Sequence, residues 1–463
     1  MKYHRAPLIK VTWVWIALIV LGMGIMQAMP EKAKKGDSSD PVGLVMTQLQ
    51  AEYMLGIADL LDSTGEIAAQ AGILDIGTVG QRQRYMAFMI ALGNPDAAKV
   101  SALKMHVELN ASDLKLTDQE LKTQDSLDQL AEGISPPRNS ESLQDELGWF
   151  GMLVEAGKEQ RAALDRSAGD KVLYAGLILL FMAVASVSGF IGLLVFLVRA
   201  INRQLPTGMV QGELRHGIYA EVFAIWLVLF TGLMLGAGVL GKVIEEGNTT
   251  LSMSLSLVAF FTSLSALLWA RFRGNSWIQI RTDIGWTSGS GLFKELLFGI
   301  AGYAMMLPFL GIGLIVTLIL MFLQGALTAG AGGDPFAGTG GPAHPIVLEI
   351  AHGDMQLRIL LVVLATIAAP IVEETMFRGV LYRQLRTSMK RFGIAINIVM
   401  SMLLTSFIFA AIHPQGWVAI PALMGIAVGM NMMREWRGTL IPSMTVHCLS
   451  NGLVTSMMLI FLS

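Results

Sequence analysis

About nine long apolar runs constrain the fold of this chain more than any other feature of its sequence. A run of about 18 or more apolar residues can cross the hydrocarbon core of a bilayer as a helix. Because that core contains no water to hydrogen-bond an open backbone, spanning segments form helices or closed barrels. The sequence therefore predicts an all-α, polytopic transmembrane helix bundle. The expected spans are Val11–Met29, Val172–Val198, Tyr219–Leu240, Leu251–Ala270, Leu296–Leu323, Ile359–Val380, Ile394–Ala411, Trp417–Met433 and Leu440–Leu462.

The composition agrees with a membrane protein. Of the 463 residues, 53% are hydrophobic and 15% are charged, whereas a soluble globular chain carries about 25% charged residues. The formal net charge of -2 gives no electrostatic reason to expect nucleic acid as a partner. The chain has a single cysteine, Cys448, which excludes an intrachain disulfide.

The loops alternate in their content of Lys and Arg, which marks the cytoplasmic side of a membrane protein. Basic residues recur in every second loop, whereas the segment 324–356 contains none. If all the spans are real, the N-terminus is cytoplasmic, the C-terminus is outside and the cell membrane is the expected location. The first run follows a basic stretch and could be a signal peptide. Its apolar core exceeds the roughly 7–15 residues of a signal peptide, so a retained anchor is expected.

A polar segment, 30–171, separates the first two spans and is predicted to fold as helices on the non-cytoplasmic side. Thr117 to Glu120 has the form of a capping box, and Val45, Leu49 and Tyr53 repeat at helical spacing. The segment shows no metal cluster, nucleophile motif or Gly-rich phosphate loop. A module that senses or binds a protein partner and a simple spacer both stay open.

The run "APIVEETMFRGVL" carries three charged residues, Glu373, Glu374 and Arg378, in a predicted span. Each charge costs about 2.5–3.5 kcal/mol at the centre of a membrane helix. Residues four apart share a helix face, so Glu374 can pair with Arg378. Glu373 points about 100° away, without a cation on its own face. Mutual neutralisation near a helix end explains the pair, but it does not explain Glu373.

Two further polar motifs follow in the next spans. Phe409 and His413 lie four residues apart, and so do His447 and Asn451. Taken singly, each is most often an interfacial residue or a hydrogen bond between membrane helices. Glu373 and His413 lie about 20 residues before and after a basic turn. At a rise of about 1.5 Å per helical residue, both side chains are expected about 30 Å from that turn, at a similar depth in the membrane. His447 lies only about 15 Å into the last span, so meeting His413 requires tilt or an irregular start to the eighth helix.

These residues resemble the CPBP (or ABI) family of intramembrane proteases, which includes the type II CAAX prenyl endopeptidases and the lysostaphin-resistance-protein-A-like proteins. The family pattern of EExxxR, FxxxH and HxxxN is matched here in order, from Glu373 to Asn451. The segment Asp283 to Gly289, "DIGWTSG", is also similar to a segment before the core of many members. Clear similarity covers about 359–452 and includes Gly425 and Gly429 at the spacing of closely packed helices.

The resemblance implies peptide-bond hydrolysis inside the bilayer. In the family roles, Glu373 and His413 hold and activate a water, and His447 and Asn451 stabilise the oxyanion. Glu374 and Arg378 become a structural ion pair. A zinc ion held by Glu373, His413 and His447 stays possible, and metal-free activation of water is slightly preferred. The expected domains are a membrane anchor (1–29), a helical domain (30–171), accessory transmembrane helices (172–290) and a catalytic transmembrane domain (291–463).

Two other classes of function stay open. A non-catalytic membrane scaffold could keep the motifs and recruit a partner through 30–171. A transporter could use ionisable residues near the midplane, although the sequence shows no convincing internal repeat. As a peptidase, the chain would take a peptide or membrane-protein substrate from the lipid bilayer.

Overall fold

A computed structural model gives the architecture of the chain. It describes residues 9–28, 41–61, 63–75, 78–112, 115–134, 142–205, 207–209, 217–244, 248–329, 347–389, 391 and 393–462. Helices dominate these residues and no strand occurs among them, which confirms the predicted all-α class. The helices are α1 Ile9–Ala28, α2 Pro41–Leu61, α3 Thr64–Gln70, α4 Val79–Ala91, α5 Pro95–Ser112, α6 Asp118–Ala131, α7 Leu143–Leu147, α8 Trp149–Glu155, α9 Lys158–Ile201, α10 Ile218–Ile244, α11 Thr249–Phe272, α12 Trp277–Ile284, α13 Leu292–Ala329, α14 Val347–His352, α15 Met355–Ser388, α16 Ile394–Ala411, α17 Ile420–Arg437 and α18 Ile441–Leu462.

Eight of these helices are long and apolar enough to cross a membrane. They are α9, α10, α11, α13, α15, α16, α17 (with the preceding turn Trp417–Ala419) and α18, and each contains or overlaps one of the predicted spans. The chain is therefore an integral membrane protein. The first predicted span coincides with α1. Its apolar part, Val11–Gly24, is shorter than the eight helices that can cross a membrane. The basic residues Lys2 and Arg5, which precede it, lie outside the described residues.

The helices α2 to α8 pack around a core of their own. Tyr85, Phe88 and Phe150 are buried there with other apolar side chains. The expected capping box is present at the start of α6, where Thr117 Oγ1 accepts from the Glu120 N–H and a Glu120 carboxylate oxygen accepts from the Thr117 N–H. This cluster is separate from the buried cluster of the membrane helices.

One helix, α9, runs without a break from this cluster into the membrane bundle. Near its start α9 packs closely on α2, because a Cβ added to Gly56 would lie 2.3 Å from the Ala168 oxygen. Lys171 Nζ lies 2.6 Å from Glu52 of α2 and donates to the Phe461 main-chain oxygen, in the last turn of α18, at 3.3 Å. The helix α2 therefore lies against the end of the bundle where the last span finishes.

Close contacts between helix backbones hold α13 against α17. A Cβ added to Gly425 would lie 2.4 Å from the Phe309 main-chain oxygen, and one added to Gly429 would lie 2.5 Å from Met306. These are the two glycines whose spacing indicates close packing, and the structure uses them for it. The contact fixes the position of α17, which precedes the last span.

Candidate active site

Three helical segments bring Glu373, His413 and His447 together. Glu373 Oε2 lies 3.7 Å from His413 Nε2 and 3.9 Å from His447 Nε2. The Glu373 oxygen is buried and has no hydrogen-bond partner among the described residues. The side chains of Glu373 and His413 keep 14% and 19% of their exposure, whereas Glu373 Oε2 itself is buried. At these distances one hydrogen-bonding atom can bridge Glu373 Oε2 and either imidazole nitrogen.

Glu373 lies in an irregular part of α15. The helix is α-helical over Ala369–Glu374, but π-helical over Leu364–Ala368 and over Thr375–Leu381. A π turn holds an extra residue, is rare and occurs frequently at functional sites. The helical periodicity of the sequence predicts regular α geometry here and gives no sign of these turns. They set the direction in which Glu373 and Glu374 point from one helix.

His413 lies just beyond the end of α16. Its Nδ1 donates to the Phe409 main-chain oxygen at 2.5 Å. The Phe409 ring is in contact with the His413 ring, with centroids 4.2 Å apart, and with the Arg378 guanidinium, 4.4 Å from the centroid. Phe409 therefore orients the imidazole with both its main chain and its side chain.

The last span supplies His447, and its orientation is fixed by Glu374. His447 Nδ1 lies 2.9 Å from Glu374 Oε1, and Arg378 Nη1 donates to that same oxygen at 2.9 Å. Glu374 and Arg378 have fully buried side chains. The chain between His413 and α17 is irregular, with a short 3₁₀ turn over Trp417–Ala419. This irregular start is what the depth argument requires if His447 is to approach His413.

Neutral imidazoles at these positions present unprotonated nitrogens to Glu373. The partner of each Nδ1 is an oxygen that can only accept, namely the Phe409 carbonyl and the ion-paired Glu374 carboxylate, so each Nδ1 carries the hydrogen. Both Nε2 atoms are then acceptors, and with Glu373 Oε2 three acceptors converge. A water molecule donates only two hydrogen bonds. A fully bonded site therefore needs one further proton or a cation.

Asn451, the fourth candidate, lies one helical turn beyond His447. Its Nδ2 donates to the Ala365 main-chain oxygen at 2.8 Å, within the first π turn of α15. Among the described residues it makes no hydrogen bond to Glu373, His413 or His447. The structure therefore brings three of the four candidates into one group and places the fourth beside it.

The donor types suit zinc, but their spacing does not. Each histidine has its second ring nitrogen hydrogen-bonded, as in metal sites. With bonds of about 2.0–2.1 Å, a tetrahedral zinc places neighbouring donor atoms about 3.4 Å apart, which is less than the 3.7 and 3.9 Å found here. Within the described part of the chain, no group of three or more His, Cys, Asp or Glu side chains could hold a metal ion.

A buried ionic network lies beside the site, and sequence reasoning missed it. Tyr382 and Arg386 of α15 donate to the Glu435 carboxylate at 2.8–2.9 Å. Asp283 accepts from Tyr219 at 3.0 Å and lies 3.5 Å from Arg383. The sequence feature that points to this network is the "DIGWTSG" segment, which contains Asp283. Its Trp286 donates to Thr375 Oγ1 at 2.9 Å, within the second π turn.

The fold and the site define a class of protein: a polytopic helical membrane protein in which one carboxylate and two imidazoles meet inside the bundle. Residues 355–453 match the family model described as type II CAAX prenyl endopeptidase, Rce1-like. This part of the chain is therefore similar to that family, as the resemblance to the CPBP family predicts. Residues 1–354 and 454–463 lie outside the match. No curated protein and no solved structure matches the chain.

Proposed function

We propose that the chain is an intramembrane endopeptidase in which Glu373 and His413 activate a water molecule. The observation that carries this proposal is the unpartnered Glu373 Oε2, buried between two imidazole nitrogens at 3.7 and 3.9 Å. Two acceptors about 3.8 Å apart can share one water, since each hydrogen bond is about 2.8 Å long. The match to a peptidase family supports this class of reaction.

In the proposed reaction, the water donates one hydrogen to Glu373 and the other to His413. Its oxygen attacks the carbonyl carbon of the scissile bond, and Glu373 takes up the proton that the water loses. The proton then passes to the amide nitrogen as the carbon–nitrogen bond breaks. The first products are a carboxylic acid, which keeps the second hydrogen of the water, and an amine. The acid then gives this proton to the amine, so that a carboxylate and an ammonium group leave and atoms and charges balance without any other reactant.

His447 and Asn451 are proposed to stabilise the oxyanion that forms on the attacked carbonyl oxygen. His447 can donate from Nε2 when its ring carries both hydrogens, while its Nδ1 stays on Glu374 Oε1. Asn451 has a second N–H besides the one that it donates to Ala365. Such donors act strongly where bulk water is excluded.

The substrate, the membrane topology and the roles of the chain segments are also proposals. The substrate is a peptide or a membrane protein that enters from the bilayer. The proposed topology places the N-terminus in the cytoplasm and 30–171 outside it, in the cell membrane. The segment 291–463 is the proposed catalytic domain, and 172–290 supplies accessory helices. The helical domain 30–171 is the proposed binding region for a protein partner.

Cleavage assays in proteoliposomes test the proposed function. The probes are a farnesylated peptide ending in a CAAX sequence and a library of unprenylated transmembrane peptides, with products read by mass spectrometry. The wild type is expected to cleave at least one probe, and Glu373→Ala, His413→Ala and His447→Ala to lose about 10²–10⁴-fold in rate. Equal turnover in all four proteins would remove the proposal. Cleavage of the first probe alone would identify a prenylated substrate.

A further inference from the structure

Arg434, near the end of α17, is a buried cation outside the group that surrounds the proposed water. Its side chain is 1% exposed. Among the described residues, no carboxylate lies within salt-bridge distance of it. A buried charge without a close counter-ion is costly, so its retention calls for a specific role. The partners of Arg434 indicate what that role is.

The Arg434 guanidinium binds three main-chain carbonyls from three parts of the fold. Nε donates to the Arg378 oxygen at 3.2 Å, and Nη2 donates to the Asp283 oxygen at 3.0 Å. Nη1 donates to the Gly438 oxygen. One planar group therefore ties the second π turn of α15 to the end of α12 and to the end of α17. Only arginine has donors in such a rigid fork.

Gly285, in the loop after α12, packs directly against the Arg434 guanidinium. Gly285 has φ of +84°, and a Cβ added there would lie 2.4 Å from Arg434 Nη1. The Gly285 oxygen also accepts from the Leu440 N–H at 3.0 Å, next to the start of the last span. The loop after α12 is thus shaped around the arginine. Gly285 is required both by the backbone angle and by the space.

The π turn that Arg434 binds is the element that fixes the register of the site. It directly follows Glu373 and Glu374 and contains Arg378. If the π turn relaxed to an α turn, its extra residue would shift into the neighbouring turn. The helix segments on the two sides would then rotate by about 100° relative to one another. Glu373 and Glu374, on one side of the turn, would then rotate relative to the part of α15 on its other side, and Glu374 would lose its alignment with His447. A π turn persists only where its surroundings stabilise it.

We propose that Arg434 is a positioning residue that holds the second π turn of α15 and thereby aims Glu373 and Glu374 at the two imidazoles. Arg434 acts through the Arg378 carbonyl and does not contact the reacting atoms. The kinetic part of this inference rests on the proposed peptidase function. The structural part concerns the His447–Glu374 bond and does not depend on catalysis.

The test compares Arg434→Lys with Arg437→Lys, and Gly285→Ala with Gly291→Ala. Arg437 lies on the same helix but binds Glu295, at 2.7–3.0 Å, and not the π turn. Gly291 also has a positive φ, of +113°, but a Cβ there meets open space. We expect Arg434→Lys and Gly285→Ala to lower kcat at least about tenfold, since small misplacements at a reacting centre are costly, with KM within about twofold. The two control variants should keep wild-type kcat.

The second readout is the ¹⁵N spectrum of the histidine rings in selectively labelled protein. Arg434→Lys and Gly285→Ala should change the His447 Nδ1 signal, and the controls should not. If Arg434→Lys fails to fold, Gly285→Ala against Gly291→Ala carries the comparison. Wild-type kcat and an unchanged His447 signal in either folded test variant would overturn the inference. A changed His447 signal in a protein whose wild type cleaves no probe would remove the proposed function and leave the positioning role standing.

Discussion

Glu374 and His447 are joined by a contact of 2.9 Å between Oε1 and Nδ1, although 73 residues separate them in the chain. The same Glu374 oxygen accepts from Arg378 at 2.9 Å. The two adjacent glutamates therefore have different surroundings. Glu374 is in contact with a guanidinium and an imidazole, whereas Glu373 Oε2 lies 3.7 and 3.9 Å from two imidazole nitrogens without a hydrogen bond. This difference leads to separate expectations for stability and for activity.

Glu373→Gln should abolish cleavage while leaving the fold intact. The glutamine cannot take the proton from water, so the rate should fall about 10²–10⁴-fold. The replaced oxygen has no hydrogen-bond partner to lose, and the melting temperature should stay within a degree or two. Cleavage assays and thermal unfolding in the same detergent measure both. A large loss of stability would show that Glu373 has a structural role.

Glu374→Gln should, unlike Glu373→Gln, lower the stability of the fold as well as the activity. The substitution leaves the buried Arg378 without its carboxylate, and breaking a buried pair from one side costs about 3–5 kcal/mol. We expect a clearly lower melting temperature and lower activity, because His447 loses its orienting partner. Glu373→Gln is the matched control. Unchanged stability of Glu374→Gln would contradict the assignment of Glu374 as the buried structural partner.

Asn451→Ala tests the proposed donor to the oxyanion. Loss of one such donor costs about 10²–10³-fold in kcat. The amide also donates to the Ala365 oxygen, so some loss of stability is expected as well. Asn451→Ser keeps a hydroxyl donor on a shorter side chain, so it should be more stable than Asn451→Ala. Wild-type kcat in folded Asn451→Ala would remove Asn451 from the mechanism.

Metal dependence follows from the spacing of the three donors. Because Glu373 lies 3.7 and 3.9 Å from the imidazole nitrogens, we expect cleavage to persist after treatment with a strong chelator and extensive dialysis. Added zinc should not raise the rate of the treated protein. Loss of activity on chelation with recovery on zinc addition would instead show that the donors close around a metal ion.

Lys171→Met should destabilise the contact between the extramembrane helices and the bundle. Lys171 pairs with Glu52 at 2.6 Å, and the two side chains are only 19% and 7% exposed. Arg82→Met is the control, because its partner Glu108 is 63% exposed at a similar distance and such pairs contribute about 0–1 kcal/mol. Thermal unfolding should show the larger decrease for Lys171→Met. Equal effects would mean that the partly buried pair contributes no more than a surface pair.

The sequence predicted the parts of this protein that local patterns determine. Apolar runs located the spans, because a bilayer imposes length and composition on each span separately. The depth estimate placed Glu373 and His413 at the same level, and the structure brings them within 3.7 Å. The turn chemistry between His413 and α17 indicated the irregular segment that lets the last span approach.

Contacts between distant segments could not be read in the same way. The bond between Glu374 and His447 depends on how two spans pack, and no spacing rule connects them. The second π turn is stabilised by neighbours such as Arg434, whose partners lie 56 and 151 residues away. Helix periodicity alone predicts an α turn there. The predicted division into domains concerns folding units and stays a prediction.

The most direct test of the central claim is cleavage of a transmembrane probe in proteoliposomes prepared in H₂¹⁸O, with wild type and Glu373→Gln compared at equal loading. We expect the wild type to release a product whose new C-terminal carboxylate contains one ¹⁸O, and Glu373→Gln to release about 10²–10⁴-fold less of it. Labelled product from Glu373→Gln at the wild-type rate would show that Glu373 does not activate the water.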